Sequence, residues 1–180
     1  VEILKSKKIV VTEHHIVPEK FSQQKYQNFL LRDQFVDLYH VPNEKTKNMV
    51  QQITNKRIEV VPYWLNSNLW KPKDKTSARE FLGLSSDKFI IGSFQRDTEG
   101  SDLITPKLEK GPDLFCNYLI KNKSCWKDLH VLLGGWRRQY VQKILDQEKI
   151  SYTLNEKAQI ETVKEMYAAC DLYVVSSRYE

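Results

Sequence analysis

Glycine and proline are scarce, six of each in 180 residues, which argues against disordered linkers and fibrous repeats, since both use these residues heavily. No internal repeat or low-complexity tract is present. Cysteine is scarcer still. Cys116, Cys125 and Cys170 are odd in number and lie in no metal-ligand spacing, so neither a disulfide framework nor a zinc site is expected, and the three read as packing residues. No apolar run approaches the roughly 20 residues of a membrane-spanning helix. The opening "VEILKSKKIVV" lacks the long apolar core of a secretory signal, which favours a cytoplasmic setting. What the chain does have is charge. Its 28 Lys and Arg against 23 Asp and Glu give a formal +5, with a pI near 9.0. That excess suits anionic partners: the phosphates of a small ligand, nucleic acid, or an acidic membrane surface. It does not choose among them.

Short β-branched runs alternate with helix-length stretches. "KKIVVTEHH", "DLYHV" and "RIEVVPY" read as buried strands that open into polar loops, and "NEKTKNMVQQIT" reads as a helix with Asn43 at its N-cap. Periodicity is lost across "PYWLNSNLWKPKDKTS", which reads as a linker. Beyond it, strands are expected at "KFIIGSFQR", "DLHVLLGG", "ISYTL" and "DLYVVSS". Helices are expected at "SAREFLGL", at "DLFCNYLIKN" after Pro112, at "WRRQYVQKILDQEK" and at "IETVKEMYAAC". This alternation implies right-handed βαβ crossovers and mostly parallel sheets. The expected fold class is α/β, with parts of two doubly wound parallel-sheet domains: residues 1–61, a linker over 62–77, and residues 78–180. Ligands of such sheets gather outside the carboxyl ends of the strands. That places "TEHH", "SFQR", "GGWRR" and "SSRYE" on the functional rims.

Several residues on those rims could carry chemistry. Arg96 leaves a strand tip, and Lys110 with Gly111 precedes a helix start, whose exposed amides and positive dipole end favour an anion. Two cations beside a helix start suit a diphosphate. The alternative is a pair of solvated surface charges, and spacing alone does not separate the two. "LLGGWRR" is a second flexible turn, but it is not a G-x-G-x-x-G fingerprint; the favoured reading is a tight strand-to-helix turn with Arg137 and Arg138 in solvent. His14 and His15 follow a strand end, and adjacent side chains on an extended segment point opposite ways, so only one of them faces a given cleft. Position favours His14. His40 and His130 lie within strands and read as structural. Glu180 sits at another strand tip, where a carboxylate could bind sugar hydroxyls, cap a helix or meet solvent.

Taken in order, "TEH", "EVVPYWLNSNLWKP", "IIGSFQRDTEG", "KGPDLF", "LHVLLGG" and "MYAACDLYVVSSRYE" resemble the GT-B glycosyltransferases of the retaining, glycogen-synthase-like type, family 4 of glycosyltransferases. The last stretch is similar to that family's "adl.v.pS..E" signature, in which the glutamate opens a pair of carboxylates. The resemblance implies that the chain is a piece of a longer enzyme. It would run from partway into the N-terminal, acceptor-side Rossmann-like domain, through the interdomain linker, into a truncated donor-binding domain, and would lack activity by itself.

The same resemblance implies roles for individual residues. Arg96, Lys110 and Gly111 would bind the donor's diphosphate and stabilise the leaving phosphate, a task that falls to a metal ion in other transferases; no metal or other cofactor is therefore expected. Glu180 would contact hydroxyls of the transferred sugar, and His14 would approach that sugar from the other domain. Ser176, Ser177 and Arg178 would line the same rim, with Asn155 and Glu156 near the base and ribose. Two features depart from the family pattern. The thirteen residues from Asp97 to Glu109 separate Arg96 from Lys110 where the family has a short gap, and Trp64 and Asn66 stand where it has Gly and Asp. The implied function is transfer of a sugar from a nucleotide-diphosphate donor to an acceptor hydroxyl with retention. The acceptor, whether glycan, lipid or protein, is left open, and peripheral contact with a membrane's inner face is compatible with the surface lysines. A sugar-nucleotide epimerase of the same fold and a basic nucleic-acid-binding module are the alternatives. No nucleic-acid partner is expected, because no RNP-type or helix-turn-helix signature accompanies the basic segments.

Overall fold

The computed structural model describes residues 7–178. The chain divides between Asn66 and Ser67 into two compact units.

The first unit is a three-stranded parallel sheet in the order β1 (Val10–Thr12), β2 (Leu38–Val41), β3 (Arg57–Val60), with helices α1 (Gln23–Asp33) and α2 (Glu44–Gln51) in the crossovers. In β2, Tyr39 and Val41 are fully buried while Leu38 and His40 are partly covered. Period-2 alternation thus sends one set of side chains into the core with Phe29, Val36 and Val50. The Tyr39 ring stacks on Phe29 at 5.4 Å. Its hydroxyl donates to Asp33 Oδ1 at 2.9 Å, so the buried phenol is satisfied; burial and that carboxylate push its pKa up to about 12. Asn43 caps α2 by accepting from the Thr46 amide at 2.8 Å.

The second unit is a four-stranded parallel sheet in the order β6 (Ser151–Asn155), β5 (Leu129–Gly134), β4 (Phe89–Ser93), β7 (Leu172–Tyr173). Both faces of its central strands are covered, and for that reason "FIIGS" and "LHVLLG" are near-continuous apolar runs. Ile91, Val131 and Leu133 face α4 (Pro112–Asn122) and α5 (Gln139–Gln147). Ile90 and Leu132 face α3 (Lys75–Phe81) and α6 (Ile160–Ala169). Helix α3 is capped by Asp74, whose carboxylate accepts from the Ser77 amide at 2.8 Å, so it starts inside the stretch read as a linker. Helix α5 starts later than the sequence suggests, at Gln139, because Trp136, Arg137 and Arg138 form the turn before it.

One buried ion pair fastens α3 to the sheet. Arg79 is only 5% exposed and donates to Ala169 O at 3.0 Å, Ser86 O at 2.8 Å and Asp171 Oδ2 at 2.6 Å. Asp171 also accepts from the Ile90 amide at 2.8 Å and from Lys75 at 2.9 Å. Burial raises its pKa, but those hydrogen bonds outweigh burial and hold the carboxyl below its ordinary 3.8. The stability this group contributes is therefore present above that value and is lost as pH falls through the lowered one. Asp171→Ala leaves the Arg79 guanidinium buried without its counter-charge, and chemical denaturation should show a loss of about 3 kcal/mol. Wild-type stability in that variant would contradict the role assigned to the pair.

Candidate functional site

The strands of each unit are parallel, so all carboxyl ends within a sheet open on one edge. In the first unit that edge carries three histidines. His40 is fixed at both ring nitrogens, Nε2 to the Val61 carbonyl at 2.8 Å and Nδ1 to Thr12 Oγ1 at 3.1 Å. A carbonyl only accepts, so Nε2 carries the proton and, in the neutral ring, Nδ1 accepts from the threonine hydroxyl. His14 lies in the loop just beyond β1 and is exposed. Its Nδ1 is hydrogen-bonded to the Tyr63 hydroxyl, and its carbonyl accepts from Thr46 Oγ1 at 3.5 Å. His15 beside it is exposed as well.

The second unit's edge holds most of the sequence-predicted site. Arg96, Lys110 and Ser176 line one small hollow together with Ser93, Asp97 and Arg138. The thirteen-residue insertion does not separate the two cations, because it closes on itself. Thr98 and Pro106 form an antiparallel bridge, Glu99 N donates to Thr105 O at 2.8 Å, and Lys107 N returns to Asp97 O at 2.9 Å. Asp102 seals the tip by accepting from the amides of Ile104 and Thr105 at 3.1 and 3.2 Å. The insertion is therefore a hairpin whose two ends are neighbours. Against α5 it forms an apolar cleft of about 620 Å³, lined by Leu103, Ile104, Pro106, Tyr140 and Ile144 among others.

Gly111 is held by shape. It sits at φ 61°, in the left-handed region, and a Cβ built there would lie 2.0 Å from the Ser176 carbonyl oxygen. The absence of a side chain lets the segment after β7 press against the start of α4, where Ser176 Oγ donates to Lys110 O at 3.1 Å. Ser177 Oγ accepts from Gln95 Nε2 at 2.7 Å.

Arg178 is placed differently from the sequence reading. Its guanidinium forms a two-pronged pair with Asp113, at 2.9 and 2.7 Å, and donates to Leu108 O at 2.6 Å. The same pair holds the Asp113 carboxyl below its ordinary range. Arg178 thus binds the chain's own helix start, and it is not among the residues lining the hollow. Asn155 ends β6, and its carbonyl accepts from Gly135 N at 3.1 Å; Glu156 is exposed in the next turn. Neither lines the hollow of Arg96 and Lys110, since β5 stands between β6 and β4. Glu180 lies outside the described residues.

Two residues of this edge escaped sequence reasoning. Arg138, expected in solvent, is 1% exposed. The turn runs through Arg137 in the left-handed region, at φ 63°. Arg137 stacks on Trp136 at 4.8 Å, while Arg138 points inward and donates to Gly134 O at 2.7 Å and Ser93 Oγ at 3.0 Å. Its partner Asp97 is 2% exposed, 3.7 Å from the Arg138 Nε. The sequence offered one weak signal, an acid directly after Arg96 and a doubled arginine directly after the glycine turn. Among the described residues, no group of three or more His, Cys, Asp or Glu side chains could hold a metal ion, and no helix is long and apolar enough to cross a membrane.

No family model matches the sequence. The chain is similar to a glycogen synthase of Fervidobacterium nodosum, with 27% identity over 155 residues that make up 84% of this chain and 30% of that protein. Among solved structures it superposes on Anabaena Alr3699/HepE in complex with UDP and glucose, with a TM-score of 0.71 and 22% identity, covering 98% of this chain and 48% of that one. It also superposes on the sucrose-phosphate synthase of Thermosynechococcus elongatus, with a TM-score of 0.70 and 16% identity, over 95% of this chain and 45% of that one. The fold is GT-B. The chain spans about half the length of these GT-B structures and under a third of the glycogen synthase.

Two variants test the geometry described. Gly111→Ala forces a left-handed alanine into the Ser176 backbone, and thermal or chemical unfolding should register a loss on the order of 2 kcal/mol or more; an unchanged midpoint would contradict the close contact. Tyr63→Phe removes the phenol from His14 Nδ1 without disturbing a core, so the ¹⁵N shifts of the His14 ring should move while those of His40 stay. Identical His14 shifts in both proteins would remove that hydrogen bond from the account.

Proposed function

We propose that this chain belongs to a retaining glycosyltransferase of family 4, one that moves a sugar from a nucleotide-diphosphate donor to an acceptor hydroxyl. The observation that carries the reading is the rim at the second unit's strand tips, where Arg96 and Lys110 both line a hollow of about 10 Å³ beside the start of α4, so that a diphosphate would lie across its mouth. A diphosphate fits that chemistry. Two cations and the positive end of a helix attract its oxygens, and the same groups stabilise the charge that grows on the leaving phosphate as the glycosidic bond breaks. With those charges supplied by the protein, the reaction needs no metal ion. The Gly111 contact holds Lys110 in place, which lowers the reorganisation required during reaction.

The rest of the donor follows the sheet edge. Two strand spacings of about 4.8 Å place the tip of β6 roughly 10 Å from β4, a span suited to a nucleoside whose base and ribose meet Asn155 and Glu156. Ser176 lines the hollow and Ser177 accepts from Gln95 beside it; we assign both to the sugar's side of the donor, with Glu180 taking sugar hydroxyls. His14, whose Nδ1 is hydrogen-bonded to the Tyr63 hydroxyl, is the catalytic candidate within the first unit. Arg178 supports the site by pairing with Asp113 at the helix start. The similarity to a glycogen synthase, and to a structure in complex with UDP and glucose, favours a nucleotide sugar over other diphosphates. We place the enzyme in the cytoplasm, with the acceptor unspecified.

The test uses the full chain with UDP-glucose and ADP-glucose. Lys110→Ala should weaken donor binding by about 10- to 100-fold, the 1.5–3 kcal/mol of a charge-assisted hydrogen bond, and transfer should persist in excess chelator with the anomeric configuration kept. Unchanged affinity in Lys110→Ala would contradict the phosphate role. Epimerised sugar with nothing transferred would replace transfer by epimerisation.

A further inference from the structure

The hollow contains a carboxylate where an anion site would be expected to exclude one. Asp97 directly follows Arg96, is buried, and lines the same hollow as Arg96 and Lys110. Three bonds lock it. Its amide donates to Arg137 O at 3.2 Å, its carbonyl accepts from Lys107 N at 2.9 Å, and its Oδ2 accepts from the Val141 amide in the first turn of α5 at 2.9 Å. Helix α5 has no cap from its own N-cap residue, so Asp97 serves as that cap from the loop beyond β4. Arg96 in turn donates its Nε to Thr98 O at 2.7 Å, on the far side of Asp97. The second carboxylate oxygen, Oδ1, is buried and has no hydrogen-bond partner.

We propose that Asp97 is a positioning residue of the diphosphate site, fastening the Arg96 turn to the start of α5, and that a diphosphate bound across the mouth of the hollow, whose volume of about 10 Å³ admits no phosphate, drives a proton onto its unpartnered oxygen. The proposal rests on the diphosphate reading above. Its physical basis is like-charge repulsion at short range in a place poorly reached by water. The donor's two phosphates bring two negative charges beside a buried carboxylate, and the relief is protonation. The groups facing Asp97 are Arg138 from the turn before α5, Tyr140 from α5, Cys116 from α4, Arg96 from its own turn and Lys110 from the turn before α4. Burial pushes the carboxyl up to about 6, outweighing Arg138, which favours the ionised acid. A small further push by the ligand therefore brings the group into the neutral pH range. By linkage, the donor then binds more tightly where Asp97 is already protonated.

Nucleotide sugars are suitable probes because their diphosphate diester does not titrate between pH 5 and 8. With the full chain and UDP-glucose or ADP-glucose, calorimetry in two buffers of different ionisation enthalpy should register uptake of about half a proton at pH 7. Kd should rise about three- to fivefold from pH 6 to 7.5. In Asp97→Asn, which keeps an acceptor for Val141 N, the uptake should vanish and the pH slope should flatten. If that variant does not fold, the wild-type proton count alone decides. Binding that depends on Lys110 yet takes up no proton, or a pH slope retained in Asp97→Asn, would overturn this inference while leaving the diphosphate site intact. Absence of binding, or binding indifferent to Lys110→Ala, would remove the diphosphate reading and this inference with it.

Discussion

Position 111 has no room for a β-carbon. The Ser176 carbonyl occupies the space one would take, at 2.0 Å, and the arrangement of the second unit's working edge follows from that contact. It brings the segment after β7 against the start of α4, so that Lys110 joins the tips of β4 and β5. Because the contact is between main chains, it holds Lys110 more rigidly than a bond between flexible side chains would.

Around that contact the charges are sorted by burial. Arg178 and Asp113 neutralise each other at the rim and brace the helix start. Arg138 is drawn beneath the strand tips, where it donates to Gly134 O and Ser93 Oγ, with Asp97 as its counter-charge. A buried pair of this kind is weak evidence for stability. Its value here is geometric: the Asp97 carboxylate caps α5 while its main-chain carbonyl roots the insertion hairpin, and one guanidinium ties two strands. Arg96 and Lys110 remain at the hollow.

Much of this organisation is legible in the sequence. The second unit's strands are apolar on both faces because helices cover both, and such runs stand out without any alternation to find. Asn43 and Pro112 mark helix starts by local chemistry that needs no tertiary partner. The charged residues are less legible. Arg137 and Arg138 look alike in sequence, and only the left-handed φ at Arg137 sends one outward and the other in. Arg178 reads as a residue of the sugar rim until Asp113, 65 residues earlier, is seen beside it. The gap between Arg96 and Lys110 looks too long for a shared site because sequence distance does not reveal that Lys107 returns to Asp97. For Arg178 and for the gap a tertiary contact decides, and for the paired arginines a backbone angle does; local propensity carries no record of any of them.

The account rests on a diphosphate lying between Arg96, Lys110 and the first turn of α4. A crystal structure of the full chain grown with UDP would test this directly. We expect density for both phosphates within hydrogen-bond distance of the Arg96 and Lys110 side chains, with the nucleoside running along the sheet edge toward Asn155. Phosphates bound elsewhere, with the hollow holding only water, would contradict it.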